Sequence, residues 1–439
     1  MNSRKNPLLN RLTNPVLRGT VVYTAASVIN AAIPFFLLPI LTRYLTPEEY
    51  GFVSTFMACV SIFLLLVGLE QSGFVSVNFF SVSKSQLRVY LSNICLVSLL
   101  IVTVLLVAVS LWPDFFSRTI QLRSKWIFFS IVVAYFQSLS QLNLTLLQLE
   151  SRPVTYGIFQ ISNSLVNYVV SIVLVVSFGM KEDGRILGIV SAGLLYGTAS
   201  LFYLIHKDLL KPTLNPAIMR ASVGFSLPLV AHSLAGWVNS GLDRILINNM
   251  VSVSENGLYS ISYQIAMIVG MVASSFNRAF TPHIFEQLNT AGETFDVKVK
   301  LVRYTWIYYV LLTCFAAGMY VFSPLILSLL VDQSFYGAGE YLTWILIGFL
   351  ADGFYYGVVN YLFHLRKTHY IAMITVSSCI VHFLISYFLL PRLGTIAAAY
   401  ATAAGYIMSF VLTFLVTQKA YPLPWRAGLK SLFVKANGE

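Results

Sequence analysis

Charge is what this 439-residue chain has least of: only 10% of its residues are Asp, Glu, Lys or Arg, while 57% are hydrophobic. Soluble domains carry about 25% charged residues, so an ordinary water-facing surface is excluded. Acid is scarcer than base, with 17 Asp and Glu against 28 Lys and Arg and a formal net charge of +11. Cysteine is also sparse. Cys59, Cys95, Cys314 and Cys379 all fall in apolar stretches, which reads as small core residues and supports neither a disulfide framework nor a metal cluster. No Gly-rich phosphate loop, nucleophile elbow or HExxH pattern occurs, so catalysis and ATP-driven pumping have no motif behind them. Nucleic-acid binding has none either. Asn143-Leu144-Thr145 fits a glycosylation sequon but lies within an apolar run and is discarded.

Long hydrophobic runs are abundant. About twelve fall near 19–41, 51–80, 90–112, 126–148, 154–178, 186–205, 222–250, 258–281, 303–331, 341–364, 370–390 and 394–418. Most are roughly 20 residues or longer, enough to cross about 30 Å of hydrocarbon at 1.5 Å per residue. Helices are required because backbone polar groups in lipid must be paired within the segment. The fold class is therefore an all-α integral membrane protein of about 12 transmembrane helices. The first 18 residues are basic and polar, and the run after them is a full span rather than a short signal core, so no cleavable leader is expected. The 51–80 run is too long for one straight span. Its polar stretch Glu70-Gln71-Ser72-Gly73 predicts a bend or a face on water. The longest connections are Pro113–Lys125 on one side and Pro282–Val302 on the other, the latter with room for one short interfacial helix.

The chain also repeats itself. Glu49-Tyr50-Gly51-Phe52-Val53-Ser54 and Glu255-Asn256-Gly257-Leu258-Tyr259-Ser260 share an E-x-G-x-x-S pattern 206 residues apart. The same offset joins Leu187-Gly188 to Leu393-Gly394, and a related one joins Arg152-Pro153 to Arg366-Lys367. A membrane chain built from two like halves usually forms a pathway between them. The expected organisation is an N-terminal six-helix bundle at 1–206, a cytoplasmic linker at 207–222, a C-terminal six-helix bundle at 223–418 and a cytoplasmic tail at 419–439, pseudo-symmetric about a central cavity. Most Lys and Arg fall in one set of alternate loops, among them Arg4, Lys5, Arg11, Lys84, Arg88, Lys207, Lys211, Lys298, Lys300, Arg366, Lys367 and Lys435. The other set holds Arg43, Arg118, Arg123, Lys125, Lys181, Arg185 and Arg392. The positive-inside rule places the richer set, and both termini, in the cytoplasm.

Ionisable residues inside spans are costly and mark candidate sites. The seventh span carries His232, Asn239, Asp243 and Arg244. Asp243 and Arg244 are neighbours, so on a helix they point about 100° apart and cannot neutralise each other face to face. An outer-end salt link from Asp243 to another helix is the structural alternative to a functional role. Under the 206-residue offset, Glu70-Gln71-Ser72-Gly73 falls on Phe276-Asn277-Arg278-Ala279. That match predicts a polar break at equal depth in both halves, with Glu70 and Arg278 on opposite walls of a shared cavity. The alternative is that both snorkel to water at an interface. Asp352, between Ala351 and Gly353 in the tenth span, is a carboxylate that pairs with a cavity arginine or binds a coupling ion. Arg43 ends the first span as an interfacial anchor or a rim cation. His382 and His232 read as hydrogen-bonded core residues rather than ligands.

The chain resembles the Wzx-type polysaccharide-unit flippases of the multidrug/oligosaccharidyl-lipid/polysaccharide exporter superfamily. The resemblance covers nearly the whole length. Its carriers are the twelve-span layout, the run from Leu38-Pro39 to Tyr50-Gly51, the Gly68-Leu69…Gly73 break, and Asp243-Arg244 before Gly257-Leu258-Tyr259-Ser260. It implies two six-helix bundles facing each other across a V-shaped lumen. It also implies transfer of an undecaprenyl-pyrophosphate-linked oligosaccharide from the cytoplasmic to the periplasmic leaflet of the bacterial inner membrane. Family members often carry aspartate at the second-span break, where this chain has Glu70. On this reading Arg278, Arg244, Arg43, Asn277 and Gln71 are substrate-binding candidates, and Glu70, Asp243 and Asp352 set the cavity field or carry a coupling ion, H+ or Na+. No catalytic residue, metal or other cofactor is expected. Expected partners are the lipid-linked oligosaccharide, membrane lipids, a polysaccharide polymerase and a chain-length regulator. Two alternatives stand beside it. A multidrug antiporter of the same superfamily favours a carboxylate in the first helix, and Gly19–Leu41 has none. A membrane glycan polymerase or ligase needs a large outer loop, which is missing. The sequence does not separate O-antigen from capsule or exopolysaccharide cargo.

Overall fold

The computed structural model describes residues 15–211, 213–290 and 292–433. Among them are 17 α-helices and no strand, and 12 helices are long and apolar enough to cross a membrane. The basic residues Arg4, Lys5, Arg11 and Lys435 lie outside the described residues. The chain divides into two compact units, 1–234 and 235–439.

The first unit holds α1 (Pro15–Tyr44), α2 (Pro47–Gly68), α3 (Gln71–Asn78), α4 (Lys84–Leu111), α5 (Pro113–Ile120), α6 (Ser124–Leu149), α7 (Pro153–Ile172), α8 (Lys181–His206) and most of α9 (Pro216–Ser240). Its helix starts follow from local chemistry. Thr46 caps α2 in a capping box with Glu49, whose carboxylate accepts from the Thr46 N–H at 2.8 Å. Ser83 and Gln86 do the same for α4. Such caps satisfy donors that a helix start leaves orphaned. Helix α6 packs on α2, α4 and α8, around Phe56, Phe63, Trp126, Ile131 and Ile189.

The second unit continues with α10 (Leu242–Met250), α11 (Val253–Thr290), α12 (Phe295–Val321), α13 (Ser323–Leu330), α14 (Gly339–His364), α15 (Thr368–Leu393), α16 (Ile396–Ala420) and α17 (Trp425–Phe433). Helix α14 packs on α11, α12 and α16. Large apolar side chains face outward in both units, among them Phe36, Leu100, Leu311 and Phe388. Contiguous apolar surface on this scale suits hydrocarbon, not water.

Three expectations are corrected. The 222–250 run is two helices, not one. Gly241 separates α9 from α10, and the Trp237 indole stands 2.6 Å from where a Cβ on Gly241 would sit. The Pro282–Val302 stretch is not a loop: α11 runs through Pro282 to Thr290, and α12 begins at Phe295. At 38 residues and 1.5 Å per residue, α11 is nearly twice the length of a hydrocarbon crossing. The repeat also fails at Phe276–Phe280. The second span breaks as expected, ending at Gly68 with Leu69 and Glu70 both left-handed (φ 45° and 51°), but α11 is continuous across the matched residues. Of the other repeated pairs, Arg152-Pro153 and Arg366-Lys367 stand at the starts of α7 and α15, whereas Leu187-Gly188 lies inside α8 and Leu393-Gly394 just before α16. Glu49 and Glu255 lie in the first turns of α2 and α11.

Candidate functional site

Asp243 sits in the first turn of α10, directly after the Gly241 interruption. A carboxylate is favoured there by the orphan N–H groups of the helix start. The side chain is 1% exposed and gathers donors from three further helices. Tyr259 Oη of α11 donates at 2.7 Å. His382 Nε2 and Ser386 Oγ, one turn apart on α15, stand at 2.9 and 3.0 Å. Thr402 Oγ1 of α16 completes the group at 3.4 Å and also meets Tyr259 Oη at 3.0 Å. A buried carboxylate is tolerated when its acceptor sites are filled in this way.

His382 extends the network. It is 2% exposed, and its Nδ1 lies 3.0 Å from Asn239 Oδ1 of α9. The nitrogen facing the carboxylate must carry hydrogen. The Asn239 amide can present either its oxygen or its N–H to the ring, so this contact can be satisfied in either orientation. The Asp243–His382–Asn239 chain is a buried link between α9, α10 and α15.

Arg244 points elsewhere, as the one-residue separation requires. Its guanidinium lies 4.9 Å from the Tyr263 ring centroid and donates to the Ser240 carbonyl. Arg278 is exposed on α11. It bonds Ser275 Oγ at 3.2 Å and has no ion pair among the described residues. Its neighbour Asn277 turns inward, accepting from Asn360 Nδ2 at 2.8 Å and from Thr281 Oγ1 at 3.1 Å. Asn277 is thus engaged between α11 and α14, while Arg278 is presented outward. Asp352 is half-buried on α14, with Tyr308, Tyr355 and Tyr356 within electrostatic reach and no hydrogen bond or ion pair among the described residues. The adjoining glycines let helices close in: a Cβ on Gly357 would stand 2.5 Å from Tyr309 Oη.

In the first unit, Glu70 and Gln71 sit at the break between α2 and α3. Two successive left-handed residues that are not glycine cost about 1–2 kcal/mol each. Glu70 Oε1 accepts from Ser233 Oγ at 2.8 Å. Gln71 is 3% exposed. Its Oε1 meets Ser98 Oγ at 3.5 Å, and its Nε2 has no partner. Beside them lies a cavity of about 170 Å³ lined by Glu70, Gln71, Ser72, Ser98, Ser138 and Gln141 together with apolar residues. Arg43 is exposed at the end of α1. His232 is exposed too, against the expectation of a core histidine.

Sequence reasoning missed Arg185. Counted there as a loop charge, it is 4% exposed and binds Asn167 Oδ1 at 2.5 Å and Ser171 Oγ at 2.7 Å, tying α8 to α7. The signal was available: Asn167 and Ser171 are one helical turn apart, and Gly188 leaves room for Ser171, whose Oγ is 2.0 Å from where a Cβ would sit. No group of His, Cys, Asp and Glu able to hold a metal ion occurs among the described residues.

Comparison with known proteins adds a family. A model described as Polysaccharide biosynthesis protein matches residues 16–288, and one described as MatE matches 228–388. The Lsg locus putative protein 1 of Haemophilus influenzae is 25% identical over 372 residues, 84% of this chain and 89% of that protein. The fold is that of a multidrug resistance MATE family transporter of the MOP superfamily in an inward-facing conformation. That likeness has a TM-score of 0.67 and 12% identity, over 94% of this chain and 99% of the other. It is equally that of the lipid II flippase MurJ in an inward closed conformation. Here the TM-score is 0.68 and the identity 13%, over 93% of this chain and 89% of the other.

Proposed function

From its membership of the Polysaccharide biosynthesis protein family, to which this chain belongs, we propose that the protein is a transporter rather than an enzyme: a flippase for an undecaprenyl-pyrophosphate-linked oligosaccharide. The proposed direction is from the cytoplasmic to the periplasmic leaflet of the bacterial inner membrane, by alternating access, with both termini in the cytoplasm. Arg278 carries this reading. An exposed arginine in a membrane-spanning helix, with no carboxylate partner among the described residues, is expensive in hydrocarbon. It is economical facing water and an anion. Guanidinium fits phosphate oxygens in a bidentate fork, and a pyrophosphate head cannot enter hydrocarbon without losing its hydrogen bonds. Arg244 and Arg43 are the further headgroup candidates. Glu70, Asp243 and Asp352 are the candidates for setting the cavity field or carrying a coupling ion, H+ or Na+. A polysaccharide polymerase and a chain-length regulator would be the partners downstream.

Charge reversal tests it. Arg278→Glu, at normal membrane levels, abolishes surface glycan assembly in a strain that depends on this gene. Wild-type glycan output from that variant removes Arg278 from the mechanism. The likeness to a multidrug transporter supports a second reading, cation-coupled drug efflux. The absence of any acid from α1 weighs against it, and drug-resistance profiling of a deletion strain separates the two.

A further inference from the structure

We propose that the cleft between α12 and α16, closed at one end by α17, is a binding site for one anionic glycerophospholipid. An acyl chain lies in the cleft and the phosphate sits on Arg426 and Lys430. The cleft measures about 410 Å³, within the range of ligand sites. Trp306 and Tyr309 of α12, Phe354 of α14, Phe410 and Phe414 of α16 and Trp425 of α17 line it. The polar atoms of its walls are already spent. The Tyr309 hydroxyl donates to the Phe354 carbonyl at 2.7 Å, and Thr313 Oγ1 to the Tyr309 carbonyl at 2.7 Å. The Trp306 indole N–H donates to the Trp425 carbonyl at 3.2 Å, and the Trp425 indole N–H to Gln418 Oε1 at 3.0 Å. What remains for a ligand is carbon, which suits a hydrocarbon chain and not a sugar. Along α12 the lining runs from Trp306 to Cys314. At 1.5 Å per residue that is about 12 Å, close to the roughly 15 Å of hydrocarbon in one leaflet.

The charge comes from α17. Gln418 fixes the turn that leads into it, its amide meeting the N–H and the carbonyl of Leu423, both at 3.2 Å. Gly428 then seats the helix on α12: a Cβ there would stand 2.5 Å from Val302 Cγ1. The remaining faces turn away from protein. Leu429 and Phe433 are exposed, and Arg426 and Lys430, one turn apart, are exposed beside them. Apolar residues next to a cationic stripe, on a short helix at the end of a span, suit the headgroup layer of a bilayer. No carboxylate pairs with Arg426 or Lys430 among the described residues, and the sequence has no Asp or Glu between Asp352 and Glu439. Two cations at a lipid surface without an internal partner attract an anionic headgroup. Arg426 directly follows Trp425, so the cations begin where the cleft ends. A phosphate and an acyl chain joined in one molecule meet both halves of the site.

The site does not depend on the transport reading. The test uses purified full-length protein in detergent and radiolabelled phosphatidylglycerol as the probe. Wild type binds the probe saturably; unlabelled phosphatidylglycerol displaces it, and phosphatidylcholine does not. Arg426→Gln combined with Lys430→Gln weakens binding about tenfold or more, and added salt weakens binding to wild type. Cys314 is an exposed part of the lining, so Cys314→Trp narrows the cleft with both cations intact and must also weaken binding. That variant decides the matter if the double variant is not monodisperse. Lys84→Gln, which removes an exposed cation from the first unit, leaves binding unchanged. Absence of saturable binding in wild type overturns the site, as does equal displacement by phosphatidylcholine. Full binding by the double variant or by Cys314→Trp overturns it too. Displacement by undecaprenyl phosphate at lower concentration than by phosphatidylglycerol would also overturn it and give the cleft to the cargo. Failure of the cargo assay with phosphatidylglycerol binding intact would count against the flippase reading alone.

Discussion

Two carboxylates at helix interruptions in this chain live opposite lives. Asp243 is packed dry, with a histidine, a tyrosine, a serine and a threonine filling its oxygens. Glu70 has one serine and a cavity beside it. Both follow an interrupted helix, yet the interruptions differ. At Gly241 the chain steps from one helix to the next with a residue whose φ of −122° is ordinary. At Leu69–Glu70 it adopts two left-handed residues that are not glycine. At the second-span break the strained turn seats Leu69 against Val97 and Val230 and leaves the Glu70 carboxylate with a single hydroxyl partner, whereas the filled network around Asp243 points to structure.

The comparison breaks most sharply at Asp243. Asp243→Ala leaves His382 buried without its partner. Removing one member of a buried pair costs about 3–5 kcal/mol, so this variant is expected to show the largest loss of thermal stability in detergent of any discussed here. A melting temperature equal to wild type would mean that the network is not under load. At Glu70 the sign reverses. Glu70→Gly removes the carboxylate but relaxes a left-handed residue, which is worth about 1 kcal/mol. The variant is expected to melt slightly above wild type in detergent. A loss of stability there would assign Glu70 to structure, alongside Asp243.

Much of the fold was legible. Length and apolarity specify the twelve spans, because hydrocarbon admits little but helices. The second-span break was legible because three polar residues and a glycine interrupt a run too long for one straight span. The break at Gly241 was not, since a single glycine inside a helical pattern is ordinarily tolerated. The run of α11 through Pro282 was hidden for the converse reason: proline in a helix interior loses a hydrogen bond and usually marks an end. The repeat misled at Arg278, where side-chain polarity recurs without any recurrence of backbone strain. His382 was read correctly as a hydrogen-bonded core residue. Its partner was beyond reach, because the two are 139 positions apart and only tertiary packing joins them. Arg185 was misplaced because proximity to a span end looks the same in sequence whether a side chain turns out to water or in to a neighbour.

The proposed movement of a lipid-linked glycan between leaflets is open to direct measurement. Purified protein reconstituted into liposomes containing a labelled undecaprenyl-pyrophosphate oligosaccharide tests it most directly, with a membrane-impermeant glycan-modifying enzyme reporting which leaflet the sugar occupies. Wild-type protein is expected to expose the inner-leaflet pool to that enzyme, and Arg278→Glu is expected not to. Protection of the inner pool equal to that in protein-free liposomes, from wild-type protein that is monodisperse before reconstitution, would contradict it.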